Sequence, residues 1–222
     1  MKNILVIAPH PDDETLGCGG TILRHIKNGD QVSWVIITSI TKEGGWTADD
    51  IKTRNQEIKE VILKYKFKSV HKLEIPSTKI DTIPLSEIIK KLGILYKDIE
   101  PEIIYIPNIN DVHTDHQIIA KASLSVGKWF RHNYIKKILM YETLSETEFN
   151  FQRGKGFQPN YFMKIDNFMA KKIKIMNIYK SELKVHPFPR SEKSMTALAL
   201  LRGSQSGFKF AEAFELIYQR VC

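Results

Sequence analysis

Two short stretches carry residue types that could do chemistry together. The first, APHPDDETLGCGG over 8–20, brings His10, Asp12, Asp13 and Glu14 close in sequence; the second, DVHTDH over 111–116, holds Asp111, His113, Asp115 and His116. Histidines and carboxylates drawn from two segments make a mixed nitrogen and oxygen donor set. That set suits zinc, which takes three protein ligands and an open water position in catalytic sites, whereas calcium or magnesium calls for oxygen ligands. Pro9 and Pro11 stiffen the backbone on both sides of His10, which favours an imidazole held at one angle.

Gly17-Cys18-Gly19 also invites a phosphate-loop reading, and the residues exclude it. The dinucleotide pattern needs glycine where Ile22 stands, Thr38 and Ser39 replace a ribose-binding acid, and no Gly-Lys-Ser or Gly-Lys-Thr occurs. Paired carboxylates at that helix entrance would also repel a pyrophosphate. The glycines are expected instead to let the first helix pack closely on the sheet. Either acidic cluster alone reads as a helix start, with Asp13 or Glu14 favouring the dipole, or as a surface turn. Both together, each following a buried strand, point to a site.

The elements that position these residues follow from hydrophobic pattern. Ile4 to Ala8 is an unbroken apolar run, as in a strand buried on both faces. Helical spacing over Thr21 to Lys27 ends at Asn28-Gly29, and Val32 to Ile37 is the second strand. Helices are expected over Thr47 to Tyr65, Leu85 to Tyr96, Gln117 to Trp129 and Asn167 to Tyr179. Strands are expected near Val70 to Leu73, over Glu102 to Ile106 and over Ile135 to Tyr141. This alternation predicts one α/β domain over residues 1–222, Rossmann-like and doubly wound, with a mostly parallel sheet and helices on both faces. Both clusters then fall at C-terminal strand ends, where open α/β sheets bind ligands. The last third is less regular: Glu146 to Gln158 reads as a loop or hairpin, the two prolines of Val185 to Arg190 exclude a helix, and Ser191 is placed to cap a helix to Arg202. Trp34, Trp129, Phe208 and Phe214 are expected in the core. Trp46 reads equally as a sugar-stacking ring or a loop aromatic.

His10-Pro11-Asp12-Asp13-Glu14 and His113-Thr114-Asp115-His116 resemble the paired signatures of the PIG-L/LmbE family of zinc-dependent N-acetylglucosamine deacetylases. Arg54 with Glu57 looks like that family's Arg-x-x-Glu element, and the ending Arg202-Gly203 to Ala211-Glu212-Ala213-Phe214 is similar to bacterial members. Thr114 departs from the proline of many relatives. The resemblance implies His10, Asp13 and His116 as ligands of one zinc per chain, with other divalent transition metals as alternatives. It implies Asp12 as the base that deprotonates the attacking water; spacing alone does not divide the two aspartates between those roles. His113 is then the cationic group that stabilises the oxyanion, with Asp115 orienting it and keeping it protonated. Arg54 and Arg190 are the expected substrate contacts, against the alternatives of a helix-surface ion pair and a loop charge.

The implied reaction is hydrolysis of the N-acetyl group of an N-acetylglucosamine-type sugar conjugate. Two other readings stand beside it, a metal-dependent phosphoesterase and a non-catalytic sugar-binding protein on the same frame. The net charge of +8 is spread along the chain, which suits solvated helix faces and a small, anionic conjugate rather than nucleic acid. Relatives often form trimers or hexamers, so a homo-oligomer is among the expected assemblies. Only Cys18 and Cys222 occur, which excludes a disulfide framework. With no signal peptide at the N-terminus and no apolar run long enough to span a membrane, a cytoplasmic protein is expected.

Overall fold

Asn3–Ala8 forms β1, and five of its six residues are fully buried. This is the pattern of a central strand covered on both faces. In the computed structural model, which describes residues 1–151, 154 and 156–221, β1 lies within a sheet that continues with β2 (Gln31–Ser39), β3 (Ser69–Pro76), β4 (Ile103–Pro107), β5 (Lys137–Tyr141), β6 (Tyr161–Lys164) and β7 (Ala211–Gln219). Their order across the sheet is β3-β2-β1-β4-β5-β7-β6. The first five strands run parallel; β7 pairs antiparallel with both β5 and β6. Cys222 and part of the expected 146–158 loop lie outside the described residues.

Helices cover both faces, as expected. One face packs against α1 (Asp13–Lys27), α2 (Ala48–Tyr65), α5 (Met169–Met176) and α6 (Glu192–Ser206), through Ile4, Val6, Trp34, Ile58 and Met176. The other packs against α3 (Leu85–Ile99) and α4 (Thr114–Val126), through Leu5, Ile7, Leu92, Ile104 and Ile119. β1 thus feeds a helix on one face while its neighbour β4 feeds a helix on the other. The crevice between their C-terminal ends is the topological switch point, where open sheets bind ligands.

The structure corrects several expected boundaries. α1 begins at Asp13 rather than Thr21, so Gly17, Gly19 and Gly20 lie inside a helix. A Cβ at Gly17 would stand 2.3 Å from the Tyr141 ring on β5, and one at Gly20 would stand 2.6 Å from Ile165. Close packing, as expected, is what these glycines permit, and it outweighs their poor helix propensity. α4 begins at Thr114 rather than Gln117, which puts Asp115 and His116 in its first turn. The strands β6 and β7 escaped the alternation reading because Glu212 interrupts the apolar run of β7. Glu212 is buried there, accepting bonds from Lys172 and from the amides of Gly20 and Thr21. Trp34 and Phe214 are core residues as expected, but Trp129 is 55% and Phe208 36% exposed. Ser191 caps α6 by accepting the Ser194 amide, and Thr47 and Asp50 close a reciprocal capping box at α2.

Candidate metal centre and active site

His10 leaves β1, Asp13 opens α1, and His116 lies in the first turn of α4. Three of their atoms converge. His10 Nδ1 is 3.4 Å from Asp13 Oδ2 and 3.3 Å from His116 Nε2, and those last two atoms are 3.3 Å apart. A tetrahedral zinc site with bonds of ~2.0–2.1 Å has ligand atoms separated by ~3.3–3.5 Å, so the triangle has the dimensions of three corners of such a site. Asp13 Oδ2 also accepts the His10 amide at 2.8 Å, and the three converging donor atoms are an arrangement a dication would satisfy.

The charge environment fits a cation as well. Burial disfavours the Asp13 carboxylate, but the two imidazoles hold it well below the usual range. Burial likewise works against charge on His10, yet Asp115 and Asp13 push it up to about 9, and Asp13 with Asp111 raises His116. Behind each imidazole stands a carboxylate: Asp111 Oδ2 lies 2.8 Å from His116 Nδ1, and Asp115 Oδ2 lies 3.1 Å from His10 Nε2. A carboxylate on the far nitrogen fixes tautomer and ring angle in metal-binding histidines. Asp111 is itself held by the Thr147 hydroxyl at 2.6 Å, and Asp115 by the Thr78 amide at 3.0 Å. His10, His113 and Asp115 form a second group of converging donors, but it lacks this arrangement of supporting carboxylates.

Asp12 adopts φ 131° and ψ −29°, a backbone conformation that costs a non-glycine residue ~1–3 kcal/mol. Its surroundings impose it. The Asp12 amide donates to Glu14 Oε2 at 3.0 Å, and its carbonyl accepts the amides of Thr15 and Leu16 at 2.9 Å. Glu14 is fixed in turn by the hydroxyls of Thr15 and Tyr179. The result is a buried carboxylate whose Oδ2 has no hydrogen-bond partner. Burial, then the charges of Asp13 and Glu182, raise its affinity for a proton well above the ordinary value.

His113 and Asp115 depart from the expected arrangement. Asp115 gives its carboxylate to His10 and Thr78, and its backbone amide donates to His113 Nδ1 at 3.1 Å. A ring nitrogen that accepts a hydrogen bond is unprotonated, so His113 carries its proton on Nε2 and is neutral. Burial, then the neighbouring His10 and His116, lower its pKa to about 4. This geometry favours a neutral imidazole with its proton on Nε2 over the expected cation oriented by the Asp115 carboxylate.

Arg54 is 8% exposed and turned inward. Its guanidinium meets the Pro11 carbonyl at 2.9 Å, Ser181, Glu182 and, at 3.2 Å, Glu57. The structure thus makes it a brace for the His10 to Asp13 loop rather than an outward contact. Arg190 does reach the site: Nη1 is 3.5 Å from Asp12 Oδ2, while Nη2 pairs with Glu182 at 3.2 Å. Cys18 is buried and belongs to neither donor group. Trp46 and His186 are exposed.

Sequence reasoning missed Glu182, the roles of Asp111 and Thr147, and the Thr78 amide. Asp111 was visible inside the second motif, but its attachment to His116 depends on how the loop before α4 folds back. Glu182 gave no signal, because it meets Arg54 from 128 positions away.

The profile of one protein family, described as PIG-L: GlcNAc-PI de-N-acetylase, matches residues 5–126. The diacetylchitobiose deacetylase of Thermococcus kodakarensis is 24% identical over 230 residues, spanning 98% of this chain and 84% of that protein. Among solved structures, the conserved protein TT1542 of Thermus thermophilus superposes with a TM-score of 0.80 at 22% identity, covering 100% of this chain and 97% of the other. GalB, the 4-carboxy-2-hydroxymuconate hydratase of Pseudomonas putida, superposes with a TM-score of 0.79 at 18% identity, covering 100% and 98%. At these identities the two structures establish the shared fold, and chemistry has to be argued from the site.

Proposed function

The chain belongs to the PIG-L family of GlcNAc-PI de-N-acetylases, and from that premise we propose that it is a zinc-dependent hydrolase removing the N-acetyl group from an N-acetylglucosamine-type sugar conjugate. The observation that carries the reading is the unpartnered Asp12 Oδ2 beside the triangle of His10, Asp13 and His116. When bound there, zinc would supply an acidified water and a polarised amide carbonyl. His10, Asp13 and His116 would hold it, with Asp111 and Asp115 fixing the two rings.

The chain's own groups account for the proton movements. Asp12 Oδ2, free of hydrogen bonds and raised in basicity by burial, takes a proton from the attacking water. The same carboxylic acid returns it to the nitrogen of the departing amine, as general acid–base catalysis requires. His113, neutral and with its proton on Nε2, donates to the carbonyl oxygen as negative charge develops there. Arg190 offers a partly exposed guanidinium beside Asp12, suited to a hydroxyl or an anionic group of the conjugate. The relative named diacetylchitobiose deacetylase supports a small N-acetylated sugar as substrate. The described residues include no helix long and apolar enough to cross a membrane.

The test combines metal analysis with product analysis. Protein purified without chelators should hold about one zinc per chain and release acetate from N,N′-diacetylchitobiose, without releasing phosphate from p-nitrophenyl phosphate. Asp12→Asn should retain the metal and lose about a thousandfold in kcat. Protein that takes up no divalent metal, or an Asp12→Asn variant with unchanged turnover, would overturn the reading.

A further inference from the structure

Glu182 lies in the irregular segment between α5 and α6, far in sequence from both motifs, yet it touches the two arginines nearest Asp12. Its two oxygens are divided between them. Oε1 meets the Nη2 of Arg54 and the hydroxyl of Ser181, while Oε2 meets Arg190 Nη2 at 3.2 Å. Arg54 is a fixed anchor, held by the Pro11 carbonyl and by Glu57 inside the protein. Arg190 rests against the Phe188 ring, with its Cζ 5.7 Å from the ring centre. From there it extends Nη1 toward Asp12 and stops 3.5 Å from Oδ2, beyond the usual range of a charge-assisted hydrogen bond.

At that gap Asp12 Oδ2 is buried and has no hydrogen-bond partner. Opposite charges this close in a site of low dielectric attract strongly, so their failure to close requires a restraint. Glu182 supplies it by competing for the same guanidinium from the opposite side. Were Arg190 to close fully on Asp12, a two-pronged ion pair would occupy the lone pairs that have to accept the proton of water.

We propose that Glu182 is a positioning residue that holds Arg190 off Asp12, keeping Oδ2 free as a base and Arg190 Nη1 free for an oxygen of the substrate. The proposal rests on the reading of Asp12 as the base. It accounts for why one carboxylate bridges both arginines: the inward one supplies the rigid mount, and the outer one is the group being positioned.

The test is second-site suppression in zinc-loaded protein, with acetate release from N,N′-diacetylchitobiose as the rate and phenylglyoxal labelling of Arg190, read by peptide mass, as a measurement independent of turnover. Glu182→Gln should lower kcat about tenfold or more, and Arg190→Ala added to it should recover most of that loss in kcat while raising KM, because the substrate contact of Arg190 is gone. Arg190 should label more slowly in Glu182→Gln than in the wild type, because it has closed on Asp12. A double variant whose kcat is no higher than that of Glu182→Gln, or faster labelling of Arg190, would overturn the proposal, since Glu182 would then be a tether whose loss frees Arg190 into solvent. Should Glu182→Gln fail to fold, Glu182→Asp carries the same labelling comparison. A wild type that releases no acetate would sink the deacetylase reading instead, and the labelling would still decide the position of Arg190.

Discussion

Asp111 Oδ2 lies 2.8 Å from His116 Nδ1, on the side of the ring facing away from His10 and Asp13. It fixes which nitrogen of His116 points into the triangle and keeps that nitrogen basic. Supporting carboxylates of this kind are worth about 10–100-fold in metal affinity. Asp111→Asn should therefore weaken zinc binding by about that factor, measured by competition with a chromogenic chelator, while far-UV circular dichroism stays that of the wild type. Unchanged affinity would mean that His116 is oriented by packing alone.

Gly17 faces Tyr141, whose hydroxyl bonds the Ile7 carbonyl at 2.9 Å. With only 2.3 Å between the ring and the position that a Cβ would take, Gly17→Ala has to displace either Tyr141 or α1. Overpacking of this kind costs ~1–3 kcal/mol, more than the helix propensity that alanine gains. Thermal unfolding should show a lowered Tm, and a raised Tm would mean that the ring moves freely.

Lys172 and Glu212 form a buried ion pair at 2.7 Å, and each also bonds the backbone of α1, at Leu16 and at Gly20 with Thr21. Lys172→Met removes one charge and leaves the other buried, which should cost ~3–5 kcal/mol in urea unfolding. Adding Glu212→Gln removes the stranded charge and keeps an acceptor for one of the two helix amides that the carboxylate oxygens receive. The double variant should regain at least ~1 kcal/mol over the single one, a coupling that independent sites would not show.

His25 predicts a pH dependence of stability away from the candidate metal site. Its Nδ1 lies 2.8 Å from Asp30 and its Nε2 2.9 Å from the Tyr105 hydroxyl. Burial lowers its pKa despite the opposing pull of Asp30. A folded-state pKa below the unfolded value of ~6.5 means that the unfolded chain binds the proton more readily. Stability from this group is thus present above that unfolded value and lost as pH falls through it toward the lower folded pKa. Comparing urea midpoints near neutral pH and about two units lower, wild type should lose more stability than His25→Gln. Equal losses would assign the acid sensitivity to other groups.

Much of this protein is legible in its sequence, and the division has a physical basis. The apolar run of β1, the spacing of α2 and α3, the capping serine of α6 and the two acidic histidine motifs are local patterns, governed by side-chain period and by backbone restriction at proline. They predicted an α/β sheet with helices on both faces and donors at two strand ends, and the structure has both. What fails to show locally is compensation from afar. A glycine-rich helix looks broken until Tyr141 and Ile165 fill the space its missing side chains leave, and β7 looks unlike a strand until Lys172 and the α1 amides receive Glu212.

The same holds within the site. Residue types determined that histidines and aspartates were available for a metal and a base. Only tertiary structure decided their partners: Asp115 to His10 across 105 positions, Arg54 to Glu182 across 128, and Arg190 to Asp12 through a loop. A hydrogen bond requires an approach within about 3 Å at a defined angle, and between segments so distant in the chain that approach is set by the packing of the sheet and its helices. Sequence therefore determined which side chains were available, and the fold decided that His113 Nδ1 meets the Asp115 amide, that Arg54 turns inward, and which carboxylate faces each histidine.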